Sequence, residues 1–127
     1  MTILRAVTTE EFSLNGHPVS GIERRNGAAI IHLAGELDLY NAPDVRTALL
    51  ELCSEQPERV VVDLGEVGFI DSTVLGVLIE AQTKLANRRS FLVAAPGLET
   101  HRALSISGLD QRLTVHDSVD VALSAEL

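Results

Sequence analysis

Only one cysteine, Cys53, occurs in the 127 residues, tryptophan is absent, and aromatic residues make up 3% of the chain. A lone thiol excludes an internal disulfide framework and any site built from several thiolates, and it suits a reducing compartment. So few aromatics leave the core to Val, Leu, Ile and Ala. Basic residues are also scarce: 10 Lys and Arg stand against 18 Asp and Glu, a formal net charge of -8. Such a balance argues against a phosphate-backbone binder and against docking on an anionic membrane surface. It favours basic patches on other proteins. No long apolar run is present. The strongest, Val74 to Ile79, contains Gly76 and is far too short to span a bilayer. The N-terminus, Met1-Thr2-Ile3-Leu4-Arg5, lacks a signal-peptide pattern. A cytoplasmic protein is therefore expected.

The length fits one domain able to bury about two-thirds of its unfolded surface without staples. Patterning is weak over residues 1–20, where Asn15-Gly16-His17-Pro18 reads as a turn. This stretch is expected to be an N-terminal extension that either adds one strand or is partly disordered, ahead of a domain over 21–127. Ile22 to Arg25, Asn26-Gly27, and Ala28 to Ala34 form a β-hairpin signature, because Asn-Gly supplies two positive-φ positions. That turn sets Ile22 opposite Ile31 and puts Ala29, Ile31 and Leu33 on one face. Asn41 is placed to cap a helix with Pro43 in its first turn. Val45, Ala48, Leu49, Leu52 and Cys53 then make one apolar stripe, to about Glu55.

Arg59 to Leu64 reads as a strand covered on both faces, Gly65 to Asp71 as a loop, and Ser72 to about Asn87 as a largely buried helix. Further on come a strand over Phe91 to Ala95, a helix over Leu98 to Ser107 ended by Gly108, a strand over Arg112 to His116, and a helix capped by Ser118. Alternation of strands and helices predicts an α/β domain: a mixed four- or five-stranded sheet, opened by the β-hairpin, with about four helices.

Function in such sheets collects beyond the carboxyl ends of the strands. Two segments there are chemically unusual: Gly35-Glu36-Leu37-Asp38, and Phe69-Ile70-Asp71-Ser72-Thr73. Helix capping accounts for one of Asp71, Ser72 and Thr73, and leaves a surplus of hydroxyls. Phe69 and Ile70 are expected to anchor this segment in the core and so hold Ser72 at a rim.

Val61-Val62-Asp63-Leu64 together with Phe69-Ile70-Asp71-Ser72-Thr73-Val74-Leu75-Gly76-Val77-Leu78 resembles the signature of STAS domains, and most resembles bacterial anti-sigma-factor antagonists. Gly35-Glu36-Leu37-Asp38, ahead of an Ala-Pro helix start, resembles the family's other signature loop. The resemblance runs over about residues 21 to 127. It implies that Ser72 is the phosphoacceptor of a partner kinase that is itself the anti-sigma factor. It also implies that Glu36, Asp38, Asp71, Thr73 and Val74 shape the partner surface, with Val74 standing where many members carry Gly. The implied partners are an anti-sigma factor with serine kinase activity and a phosphoserine phosphatase. Neither cofactor nor metal is implied, nor direct contact with nucleic acid or membrane; a weak homodimer stays open. No catalytic residue is implied, and Mg-ATP belongs to the kinase. The unphosphorylated chain would bind the anti-sigma factor, releasing the sigma factor, and phosphorylation would end the association. A phosphate of charge about -1.5 to -2 at a helix N-terminus should gain from free amides there and repel a carboxylate-bearing partner.

Other readings compete. One is a STAS accessory subunit of a transporter or signalling assembly, without phosphorylation. Another is a receiver-like phospho-aspartate domain using Asp38, Asp63 and Asp71, although Asp38 lacks an acidic neighbour. A hydrolase built on Ser72 with His32, His101 or His116 lacks the Gly-x-Ser-x-Gly elbow. Arg24-Arg25 and Arg88-Arg89 read as solvated charge flanking turns.

Overall fold

A computed structural model describes residues 7–11 and 17–127. Asn15 and Gly16 of the expected turn lie outside them. Among these residues six strands form one sheet whose spatial order follows the chain: β1 (Val7–Glu11), β2 (Val19–Arg25), β3 (Ala28–Leu37), β4 (Arg59–Ile70), β5 (Phe91–Ala94) and β6 (Thr114–His116). The first two pairings are antiparallel and the next three parallel. Strands β2 to β6 are the expected five, and β1 adds a sixth along the outer side of β2. Among the described residues four α-helices accompany them: α1 (Ala42–Ser54), α2 (Ser72–Gln82), α3 (Leu98–Ile106) and α4 (Val119–Ser124).

The hairpin forms as its turn chemistry dictates. Asn26 and Gly27 both take positive φ, 52° and 89°, and Ile22 faces Ile31. A side chain at position 27 would meet the Glu58 carboxyl at 2.7 Å, which can swing aside, so it is the positive φ of the turn that requires glycine.

Alternation along the strands divides two apolar layers. Ala29, Ile31, Leu33, Val60, Val62 and Val93 face α1 and α2, where the stripe Val45, Ala48, Leu49, Leu52, Cys53 is wholly buried as its spacing requires. Ile30, Val61, Leu92 and Ala94 face the other way, onto Ala122 of α4. Ser118 caps α4 through a 3.1 Å bond from the Val121 amide. Gly108, at φ 80°, follows α3 and its C-cap Ser107.

Strand β2 begins at Val19 and β3 runs on to Leu37, each three residues beyond the expected hairpin strand, and two boundaries differ more widely from the sequence reading. Residues 65–70 continue β4 rather than forming a loop. Two irregularities each give β4 one residue more than β3: Asp63 and Glu66 pair with His32 and Ala34, then Val67 and Phe69 with Gly35 and Glu36. These bulges break the two-residue alternation that marks a strand. The second difference is the end of α2, at Gln82 instead of about Asn87. There the Gln56 side chain takes over the backbone, donating to the Lys84 carbonyl at 2.7 Å and accepting from the Ala86 amide at 3.0 Å.

Candidate functional site

Parallel pairing of β3 with β4 carries through to Leu37 opposite Ile70, so the segments leaving both strands emerge side by side. The Asp71 amide donates to the Leu37 carbonyl at 3.0 Å and fastens them together. The Asp38 segment and the Ser72 segment thus form one rim at the carboxyl end of the sheet.

Asp38 and Asn41 lock the first segment reciprocally. Asp38 Oδ1 accepts from the amides of Tyr40 (2.9 Å) and Asn41 (3.3 Å), while Asn41 Oδ1 accepts from the Asp38 amide (2.9 Å). Asn41 Nδ2 donates to the Glu36 carbonyl at 2.9 Å. Asn41 therefore occupies the cap position without a side-chain bond to the helix; it reaches backward and closes the turn. Leu39 and Tyr40 ride on this turn, 61% and 89% exposed. Glu36 is exposed and Asp38 half-buried.

In the second segment Asp71 is the cap. Its Oδ1 accepts from the amides of Thr73 (3.0 Å) and Val74 (3.2 Å), and its carbonyl takes the Leu75 amide. The first-turn amides expected to welcome a phosphate are thus partly taken by a carboxylate already in place. Ser72 follows as the first helical residue; it and Thr73 are exposed, and neither hydroxyl has a hydrogen bond among the described residues.

Two expectations about neighbouring side chains are corrected. Val74 is fully buried in the core, so its side chain forms no part of the surface. At about 100° per residue the helix turns Val74, Leu75, Val77 and Leu78 inward and leaves Ser72 and Gly76 outward. Above Gly76 there is open space. Phe69 does not anchor the segment either: it is 48% exposed, whereas Ile70 is 4% exposed. Successive strand residues point to opposite faces, so only one of the pair reaches the core.

Sequence reasoning missed the apolar content of this rim. Leu39, Tyr40 and Phe69 are among the most exposed large apolar residues described. A groove of about 350 Å³ runs between α1 and α2, lined by Leu39, Pro43, Arg46, Thr47, Thr73 and Val77. Arg46 closes one wall with a two-pronged pair to Glu80, at 2.8 and 2.6 Å. Leu39-Tyr40, placed directly after a turn-forming Asp, was the available signal.

The three aspartates of the receiver-like reading serve separate ends. Asp38 and Asp71 hold backbone amides, while Asp63 pairs with His32, 2.6 Å from Nδ1. On its other side His32 Nε2 lies 2.6 Å from Glu23 Oε1. Ionised carboxylates only accept, so this arrangement favours the ring with both nitrogens donating, the imidazolium form. The bond to Asp63, helped by Glu23, raises the His32 pKa against the opposing effect of burial. The same bond lowers that of Asp63. Burial pushes Glu23 upward, but hydrogen bonds from Arg25 and His32 outweigh it and the net direction is down. His32 is thereby committed to two carboxylates and is not placed to serve Ser72.

Comparison with known proteins matches this architecture to a family. The family model of the STAS domain matches residues 21–122. Over 98 residues the chain is 33% identical to the anti-sigma-F factor antagonist RsfB of Mycobacterium tuberculosis, covering 74% of this chain and 80% of that protein. It is 37% identical over 95 residues to the anti-sigma-B factor antagonist of Listeria monocytogenes, covering 73% and 82%. Among solved structures, an anti-sigma factor antagonist from Mycobacterium paratuberculosis superposes with a TM-score of 0.77 at 28% identity, covering 93% of this chain and 92% of that one.

Proposed function

Because the chain belongs to the STAS domain family, we propose that it is an anti-sigma-factor antagonist switched by phosphorylation of Ser72. With Ser72 free, the rim of Asp38, Leu39, Tyr40, Asp71 and Thr73 docks on an anti-sigma factor that carries the serine kinase activity. With Ser72 phosphorylated, it lets go, and a phosphoserine phosphatase resets it. Catalysis and Mg-ATP belong to the partners.

The observation that carries this reading is the exposure of Ser72 at the first position of α2, with its hydroxyl uncommitted and an apolar, exposed turn beside it. The apolar turn supplies contact area. The hydroxyl sits where a change of charge is felt across the interface. A phosphate would lie next to the Asp71 carboxylate, which already occupies the amides of the first turn. Its charge is thus left to act on the partner. Like charges brought together at an interface cost several kcal/mol, and about 3 to 4 kcal/mol is a few-hundred-fold in affinity. The fold need not rearrange for this.

The test is phosphorylation by an anti-sigma kinase with ATP, mapped by mass spectrometry, alongside binding of the same kinase by calorimetry. Modification at Ser72, its loss in Ser72→Ala, and at least about hundredfold weaker binding by Ser72→Asp with an unchanged circular dichroism spectrum support the switch. Labelling that survives in Ser72→Ala overturns the assignment. Equal binding by Ser72→Ala and Ser72→Asp, with no labelling, points instead to an accessory subunit.

A further inference from the structure

At the opposite end of α2, about 16 Å from Ser72 by helix length, three arginines gather. Arg88 and Arg89 sit in a short 3₁₀ turn that enters β5, and Arg112 lies just before β6. Because β5 and β6 are parallel neighbours, with Leu92 opposite Thr114, both segments start from the same end of the sheet. The buried Gln82 ties them: its Nε2 donates to the carbonyls of Arg112 (3.2 Å) and Arg88 (3.5 Å). Together Gln82, Arg88, Arg89, Arg112 and Thr114 line a groove of about 240 Å³.

The charge of this groove is not closed by the protein. Elsewhere Arg25, Arg46 and Arg102 each meet a carboxylate, Arg24 meets Glu55, and Arg59 meets two carbonyls. No ion pair reaches Arg88, Arg89 or Arg112 among the described residues. No carboxylate joins them among the described residues. In a chain of net charge -8, three arginines without an ion pair among the described residues, all lining one small groove, are out of keeping with the rest of the surface.

The geometry points to an oxyanion site: Arg88, Arg89 and Arg112, on two segments whose backbones Gln82 joins at residues 88 and 112, bind a compact phosphate group. Guanidinium forks match phosphate oxygens two at a time, and a dianion answers several cations at once. The small, local groove fits one such group better than an extended acidic segment, which needs a stripe of cations. Neither the site nor its test depends on Ser72. The phosphate is either free or esterified, and the two sources differ in the experiment.

The experiment is a titration of the uniformly ¹⁵N-labelled full chain, at fixed ionic strength, with inorganic phosphate, with phosphoserine and with an octaglutamate peptide. Saturable shifts confined to the amides of Gln82, Arg88 to Ser90 and Arg112 to Thr114 are expected with phosphate or phosphoserine. Tighter saturation by phosphoserine assigns an ester, and tighter saturation by inorganic phosphate a free ion. The Arg88→Gln/Arg112→Gln variant should keep the rest of its spectrum and bind at least about tenfold more weakly, from the loss of two charge-assisted contacts. Shifts that rise linearly without saturating, saturation unchanged in that variant, or a response to octaglutamate alone would overturn the site.

Discussion

The amide of Asp71 donates to the carbonyl of Leu37 at 3.0 Å, and this one bond makes the Asp38 turn and the start of α2 a continuous rim. Each half is then stiffened by its own aspartate, Asp38 through Tyr40 and Asn41, Asp71 through Thr73 and Val74. Asp38 and Asp71, the aspartates of the two segments, are first of all backbone fasteners. Their effect on a partner works through the shape they hold as well as through charge.

Removing the α2 cap should therefore cost stability. Asp71→Ala is expected to lose about 1 kcal/mol, a fall of about 4 °C in Tm, whereas Asp71→Asn keeps an accepting oxygen and most of the stability. Thermal melts of the three proteins check this; equal melting of Asp71→Ala and the parent would deny the cap its role.

Tyr40 carries the opposite expectation. At 89% exposed it contributes little to the fold, so Tyr40→Ser should melt with the parent. If the rim is the docking surface, the same change should weaken kinase binding about 30-fold or more, as central aromatic contacts do. A binding isotherm identical to the parent's would move the interface elsewhere.

Stability should depend on pH through His32. Its raised pKa means that its contribution is fully present below the ordinary value of 6.5 and is lost as pH climbs through the raised one. The lowered carboxylates, Asp63 and Glu23, contribute above their ordinary values of 3.8 and 4.5 and lose that contribution as pH falls through the lowered ones. Denaturant midpoints should be highest between about pH 4.5 and 6.5 and decline above. His32→Gln should flatten the upper decline. A parent curve without that decline would show that folding does not raise the His32 pKa.

Cys53 should be inert in the folded protein. It is wholly buried on α1, and burial pushes its thiol up to about 11. Reaction with a disulfide reagent at pH 8 should proceed only after denaturant is added. Prompt stoichiometric labelling of the native chain would mean that α1 opens readily.

How much of this was legible in the sequence depended on whether a local rule acted alone. Asn26-Gly27 fixed the hairpin register to the residue, and the spacing of Val45 to Cys53 fixed which side of α1 is buried, because each reports a single geometric demand. The extension of β4 was hidden because two bulges reset its alternation, leaving Val67 and Ile70 as the only inward residues among 65–70. At the site, Ser72 and Asp71 were readable from capping chemistry. The inward turn of Val74 and the outward turn of Phe69 were not, because motif letters carry no direction. Asn41 likewise closes a turn through Asp38, a tertiary choice that its cap propensity does not foretell.

The sheet's spatial order is the chain's own order, β1 to β6. No strand has to be threaded between two that are already joined. A chain emerging from a ribosome amino end first can lay each new strand on the growing edge as it arrives. Pairing of the sheet can therefore keep pace with synthesis, whereas the face of Ile30, Val61, Leu92 and Ala94 waits for α4, the last helix to be made.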